Sequence, residues 1–487
     1  MRNFLIYIVL LPFVLGGCGS FLKSEFKSPE VTYPAHWSEF GNGTTVNVTA
    51  AAKWPDAFND PELSRLVQLA LERNNDLAAV AYKVREARLE AGIAFNDLLP
   101  QPSAGLTGSN KKVFDRHDWQ NTYSASLDVS YEADLWGKLS RANDAATWEA
   151  VATDEDRLST ALSIVSTTMQ LYWEIAYDNV RIELSRNNIE SSKETLKLIL
   201  AQESYGAVSE LDVSQSRQDL ASLKAEYCTI KQSRQEALSS LAVLFDLPPG
   251  KVMADPKNLI DLNMPEIPAG LPVEILSRRP DLKAAELRLR KLLANTDAAK
   301  AGFYPTLSLT GSLGSSSTEL ANLLDNPFAT IASSITFPFL NWHKLSLQLD
   351  ESKAEYEEAV INFRQTLYEA MKEVEDALSN RTNLMAQGRH LAQSYNSAKN
   401  VEHIYEVRYR SGAGTLKDWL DAQDTRRSAE QALAENRYNL LVNYVTLYKA
   451  LGGEPSQYAV PMKDVAGKEK KGDSVDSAAG TAVHKKS

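Results

Sequence analysis

The sequence has little of what chemistry at a protein site is made from. Its 487 residues include two cysteines (Cys18 and Cys228), seven methionines and six histidines. The histidines are His36, His117, His343, His390, His403 and His484. They form no HExxH pair, and two cysteines so far apart form no CxxC. No GKS or GKT phosphate loop, no GxGxxG behind a strand and no GxSxG elbow occurs. Methionine is too scarce to line a copper path. These absences speak against an enzyme, and no cofactor or metal site is expected. Past residue 20 no apolar run approaches the roughly 20 residues that a spanning helix needs, which excludes a helical membrane bundle. Positive charge is the scarcer sign. Lys and Arg number 52 against 63 Asp and Glu, and the net −11 argues against nucleic acid as a partner. Apolar residues make up 44% of the chain, enough for a core, at a mean hydropathy of −0.31.

The N-terminus holds the one long apolar run. Arg2 leads into FLIYIVLLPFVL and then small residues, the pattern of a secretory signal peptide at 1–17. The run is too short to span a bilayer. It ends in Leu15-Gly16-Gly17-Cys18, which resembles a bacterial lipobox. In such signals the cysteine is lipidated and becomes the new N-terminus, so a covalent lipid on Cys18 is expected. Gly19, where Asp would retain a lipoprotein at the inner membrane, points to the outer membrane. Loss of 1–17 removes Arg2 and leaves a charge of about −12. With Cys18 acylated no intramolecular disulfide forms, and Cys228, in a helical apolar stripe, is expected to be a small buried hydrophobe.

The chain is written twice. At an offset of 205, Asp76 falls on Asp281, Leu77 on Leu282 and Pro100 on Pro305. At an offset of 206, Trp136 meets Trp342, Lys138 meets Lys344, Gly206 meets Gly412 and Asp212 meets Asp418. The first repeat is placed at 61–250 and the second at 271–455. A proline-containing linker at 251–270 joins them, an extended segment at 18–60 precedes them, and a polar, flexible tail at 456–487 follows. Each repeat reads as a helix (about 62–97; 273–301), two short strands, a very long helix (about 136–203; 342–408), a glycine turn and a further helix (about 209–246; 415–451). Leu158, Ala161, Val165, Thr168, Tyr172, Ile175, Asn179, Ile182, Ile189, Leu196 and Leu200 follow the 3-4 spacing of a coiled-coil seam. Some 65 residues at 1.5 Å each make a helix of about 100 Å.

The short segments alternate strictly. Tyr123, Ala125, Leu127, Val129 and Tyr131 interleave with Ser124, Ser126, Asp128 and Ser130, and Leu307, Leu309 and Leu313 with Ser308, Thr310 and Ser312. Ile331, Ile335, Phe337 and Phe339 continue the pattern. Strands are expected at about 102–110, 121–132, 305–313 and 329–340, each with one apolar and one polar face. A strand over a soluble core has the same pattern. The outer-membrane signal favours membrane β-strands, apolar outward and polar inward, with Asp128 and Glu132 on the lumen side. Tyr131, Trp136, Phe337, Phe339 and Trp342 cluster at the strand–helix junctions, where an interfacial belt would sit. Residues 108–121 and 314–327 are the expected extracellular loops. Four strands close no barrel, and an open edge in lipid leaves backbone groups without partners, so several copies must share one.

Taken together, the lipobox, the duplicated plan, DLWGKL, YGAVSELDV, RYRSGAGTLKDWLDAQ and the closing LYKALGG resemble the TolC-like outer membrane efflux family, in its lipoprotein (NodT-type) branch, over about 18–455. The resemblance implies a mainly α fold with a membrane β part. It implies a homotrimer with a shared twelve-stranded barrel, a periplasmic α-barrel of twelve helices and an equatorial domain that takes in the linker. It implies the outer membrane channel of a tripartite system, fed by an inner-membrane pump of the resistance-nodulation-division class through a periplasmic adaptor, with no catalytic site. The turns at Gly206, Gly412 and Gly414 would be the periplasmic tips. Asp421, in LDAQ, and Asp424 would narrow the tunnel, with Lys417 one turn earlier on the same side. Many relatives carry Arg where this chain has Asp424. Without the motif, the two aspartates read as ordinary solvated charges. The same architecture serves type I protein secretion, and a different class, a non-pore periplasmic scaffold or adaptor lipoprotein, would also use coiled coils.

Overall fold

The computed structural model describes residues 22–34, 37, 54–113, 118–251, 256, 259 and 278–453. Cys18, the signal segment and the C-terminal tail lie outside the described residues. After a 3₁₀ turn at Trp54–Phe58, the first repeat contains α1 (Pro61–Arg73), α2 (Asn75–Asn96), β1 (Gln101–Val113), β2 (Asp118–Ala133), α3 (Lys138–Ser204) and α4 (Glu210–Leu244). The second contains α5 (Pro280–Ala301), β3 (Thr306–Ser317), β4 (Pro327–Thr336), α6 (Trp342–Arg410) and α7 (Leu416–Ala450). α3 and α6 have 67 and 69 residues, hence about 100 Å each. Each folds back along the next helix as an antiparallel hairpin.

Several boundaries differ from the sequence reading. The helix expected at 62–97 is two, because Asn74 ends α1 in an extended conformation and its side chain accepts from the Leu77 N–H to start α2. β1 and β2 run further into the 108–121 stretch than expected and leave 114–117 between them. β3 likewise continues to Ser317. Cross-strand pairing extends these strands over polar residues that sequence alternation alone assigns to loops. β4 stops at Thr336. Pro338 has no N–H for a ladder, and it opens a 3₁₀ turn at Pro338–Asn341, so Phe337 and Phe339 are not strand residues. Cys228 is exposed, not buried. The buried stripe of α4 runs through Leu220, Leu223, Ile230, Ala237 and Leu241, and Cys228 falls off it.

The strands form one antiparallel sheet in the order β1-β2-β3-β4. The register carries the alternation straight across it. Ser103, Asp128, Ser312 and Thr330 share a polar row, and Ala104, Leu127, Leu313 and Ala329 share an apolar one. β1 and β4 each have one unpaired edge.

The main core sits at the waist, midway along the long helices. Phe58, Leu63, Leu66 and Val67 pack there against Met169, Trp173 and Ile175 of α3, Leu241 and Phe245 from the end of the first hairpin, and Tyr444, Val445 and Leu447 of α7. Phe58 lies 5.5 Å from the Trp173 ring and 5.0 Å, edge-on, from Tyr444. The Tyr172 hydroxyl donates to Asp60 (2.6 Å), which also caps α1. Below the waist the seam of α3 continues as a heptad through Asp178, Ser185, Ser192 and Ile199, all buried. Leu200, expected on the seam, is exposed. The serines occupy seam positions that a purely apolar search passes over.

Residues 22–34 have no regular structure and lie along α5. The Ser24 backbone N–H and hydroxyl both donate to Asp297 (2.7 and 2.6 Å), which is buried and also paired with Lys300 (3.0 Å). Arg290 sits between the rings of Phe26 (4.3 Å) and Trp148 (5.4 Å).

Candidate channel wall and tip

The two helical turns furthest from the sheet are built alike. At Gly206 (φ +71°) the Gly206 N–H donates to the Glu203 carbonyl and the Ala207 N–H to that of Gln202. At Gly412 (φ +76°) the Gly412 N–H donates to Tyr409 and the Ala413 N–H to Arg408. Both are Schellman caps, in which glycine takes the left-handed position at no steric cost. Gly414 is different. Its φ is ordinary, and a Cβ there would lie 3.3 Å from the Cβ of Arg408. The return helices start under side-chain caps. Asp212 accepts from the Ser209 N–H (2.9 Å), and the Thr415 hydroxyl accepts from the Asp418 N–H (3.1 Å).

A second, small core joins the two hairpins at this end. Ile199 and Val213 of the first hairpin pack with Tyr409, Leu416 and Trp419 of the second. Tyr409 stacks on Trp419 with ring centroids 5.3 Å apart, and its hydroxyl donates to Gln202 of α3 (2.5 Å).

Lys417, Asp421 and Asp424 lie on one exposed face of α7, as the spacing predicts. The structure adds partners. Lys417 is ion-paired with Asp421. Asp424 accepts from Arg427 (2.9 Å), which is 8% exposed and reaches across to Asp219 of α4 (2.8 Å). Ser192 of α3 donates to the same Asp219 carboxylate (2.6 Å). Arg427 thus bridges the two hairpins. Loss of water around the Asp424 carboxyl holds it above the usual carboxylate range, with Asp219 and Asp421 adding to the effect and Arg427 opposing it. Next to it, Arg426 binds Glu402 (2.8 Å), Glu430 (2.6 Å) and Asn188 of α3 (3.1 Å). Sequence reasoning missed Arg426, Arg427 and Asp219. The only signal was two adjacent arginines one turn beyond the LDAQ segment.

At the sheet end, Asp128 accepts from Ser126 (2.8 Å) within the polar face, and Glu132 lies 3.7 Å from Lys138. The aromatics gather at the sheet base. Trp136 stacks on Tyr304 at 4.8 Å, and its indole N–H donates to the Pro305 carbonyl (2.8 Å). Trp342 meets Phe303 edge-on at 5.2 Å, and Phe337 meets Phe339 at 5.7 Å. Tyr131 lies on the apolar face of β2, opposite Leu309, and is half-buried. Phe303 and Tyr304 belong to the same group and were not singled out from sequence. Trp136 joins the end of β2 to the start of β3 across 169 residues of chain. No cluster of His, Cys, Asp and Glu suited to a metal ion occurs among the described residues, and no described helix is long and apolar enough to cross a membrane.

A sequence model of the family described as "Outer membrane efflux protein" matches the chain twice, over residues 66–245 and 271–453. The chain belongs to the outer membrane efflux protein family. The toluene efflux pump outer membrane protein TtgC of Pseudomonas putida is 31% identical to it, covering 93% of this chain and 96% of that protein. The probable outer membrane lipoprotein SilC of Salmonella typhimurium is 30% identical, covering 91% and 96%. The open-state structure of the Neisseria gonorrhoeae MtrE outer membrane channel aligns with a TM-score of 0.81 at 29% identity, over 89% of this chain and 98% of that one. The outer membrane efflux protein described here is therefore a TolC-like channel subunit of the outer membrane, from a family of transport proteins rather than enzymes. Its four-stranded sheet is one chain's part of a membrane barrel, and its helices form the periplasmic part.

Proposed function

We propose that three copies close a twelve-stranded barrel and a continuous helical tunnel, which serves as the passive exit duct of a tripartite efflux system for small molecules. An inner-membrane pump of the resistance-nodulation-division class supplies the energy, and a periplasmic adaptor links it to the tips. Cys18 carries the lipid anchor. The observation that carries this reading is the sheet: four strands, one polar and one apolar face in continuous register, and two unpaired edges that hydrocarbon would not tolerate. The names of TtgC and SilC support the efflux and lipoprotein assignments.

In this duct Asp421 and Asp424 of three copies ring the narrow end, with Lys417 and Arg427 tempering their charge. Asp128 and Glu132 line the barrel lumen, and Tyr131, Trp136, Phe337, Phe339 and Trp342 mark its periplasmic rim. Opening the tip requires the second hairpin to part from the first. Three links hold it: Tyr409 to Gln202, Arg426 to Asn188, and Arg427 to Asp219. The test is planar-bilayer conductance of the detergent-purified lipoprotein, with its mass. A three-copy particle with cation-favouring steps is expected, and Asp421→Asn with Asp424→Asn should weaken that preference. A non-conducting monomer would overturn the duct. Unchanged single-channel traces would remove the two aspartates from its narrow end.

A further inference from the structure

The duplication puts one helix type into two different surroundings. α5 has no exposed residue along Pro280–Ala301. One flank lies on α6 of its own repeat, and the other lies more extensively on α3 of the first repeat. Its counterpart α2 buries only Leu77, Val84 and Ala87, while Tyr82, Leu89, Ile93 and Phe95 are exposed. α2 packs on α3, which matches α5 on α6. The match to α5 on α3 would be α2 on α6, and no extensive packing of that kind occurs among the described residues. The upper part of α6 is correspondingly bare, with Leu347, Glu355, Ile361 and Asn362 exposed.

Charge follows the same correspondence. In the seam inside the chain, Arg288 of α5 bridges Glu149 (3.2 Å) and Asp156 (2.5 Å) of α3, and Lys291 adds a second bond to Glu149 (3.0 Å). The repeat offsets carry Arg288 to Lys83, Lys291 to Glu86, Glu149 to Glu355 and Asp156 to Asn362. Lys83 and Glu355 are both exposed and make no ion pair among the described residues. In the three-copy tunnel proposed above, α2 of one copy lies on the bare flank of α6 in the next, in the geometry of α5 on α3. We propose that this seam is held by Lys83 facing Glu355 of the next copy and is weaker than the seam inside each chain. This rests on the three-copy reading above and names the residues that join the copies. The contact is head-to-tail, so it closes a ring without a two-fold axis.

The two kinds of seam are unequal. The one inside each chain has two cations against two carboxylates. The one between chains keeps a single bridge, has Asn362 in place of the second carboxylate, and brings Glu86 towards Glu355. The ring therefore alternates firm and weak seams, and it parts first between copies.

Lys83→Cys combined with Glu355→Cys, in full-length lipoprotein carrying Cys228→Ser, should cross-link with a short bis-maleimide into species of two and three chains. Neither single variant should do so. A three-copy mass without cross-linking overturns the seam assignment, whereas a monomeric mass overturns the ring itself. Glu86→Lys, which restores the charge found at Lys291, should raise the temperature at which the assembled particle falls to monomers. An unchanged or lowered temperature overturns the unequal-seam part.

Discussion

The waist and the tip are both places where the two hairpins meet, and they are held by different physics. At the waist, large apolar side chains such as Trp173, Phe245, Leu63 and Leu66 are almost wholly enclosed. Burying each contributes about 1.5–3 kcal/mol, and no single contact can be withdrawn without leaving a cavity. At the tip, five buried residues form a thin layer, and hydrogen bonds from Tyr409, Arg426 and Arg427 do most of the joining. Such bonds contribute about 0.5–3 kcal/mol each and can be exchanged for water when the hairpins separate. A duct that must stay assembled and yet open at one end needs this contrast. The waist is a fixed joint, and the tip is a set of separable links.

The largest effect should come from breaking the waist. Trp173→Ala should cost about 3–5 kcal/mol and lower the melting temperature or prevent assembly, read by thermal unfolding of the purified protein. A mild loss would show that the waist is no firmer than the tip. Asp219→Ala should act next. It leaves Arg427 with Asp424 and Gln423 only and frees the second hairpin. Loss of charge-assisted bonds amounts to about 1.5–3 kcal/mol at the tip. Single-channel conductance should rise while the melting temperature moves little, because the waist is untouched. The smallest effect is set by pH. Loss of water around the Asp424 carboxyl raises it above the ordinary aspartate value, so it takes up its proton at a higher pH than a free aspartate does. As pH falls through that value, the link to Arg427 weakens and cation preference drops. Relative to an unfolded chain, the raised value favours the folded tip at acid pH and costs stability as pH rises through it. Asp424→Asn should remove this step from the pH dependence of selectivity.

Much of the fold is legible in the chain because it depends on period. The duplication fixes matching elements, the 3-4 spacing fixes the upper seam of α3, and alternation locates the strands. What escaped has a common cause: it depends on which residues face each other over long separations. Arg427 and Asp219 are 208 positions apart, and nothing local to either marks the pair. The seam serines Ser185 and Ser192 look like surface residues until a second helix lies on them. Cys228 reads as part of an apolar helical stripe and is exposed because the helix phase carries it off the buried one. α2 and α5 hold the same place in their repeats and begin on the same Asp-Leu pair, yet only one of them is enclosed within the chain. At the candidate tip, Lys417, Asp421 and Asp424 were found from a motif. Their counter-charges were visible only in three dimensions.

The register of the sheet imposes a parity rule on any barrel made from it. The polar face that carries Ser103, Asp128, Ser312 and Thr330 takes odd numbers in β1 and even numbers in β2, β3 and β4. An edge-to-edge joint must then set even β4 residues against odd β1 residues, or lumen and lipid faces change places from one copy to the next. Carrying the β2–β3 pairing through the repeat offsets satisfies this rule. It sets Ser334 opposite Thr107 on the wet side and Ile335 opposite Leu106 on the lipid side. A slip of one residue at one joint would recur at every joint around the ring. The barrel therefore tolerates displacement only in steps of two.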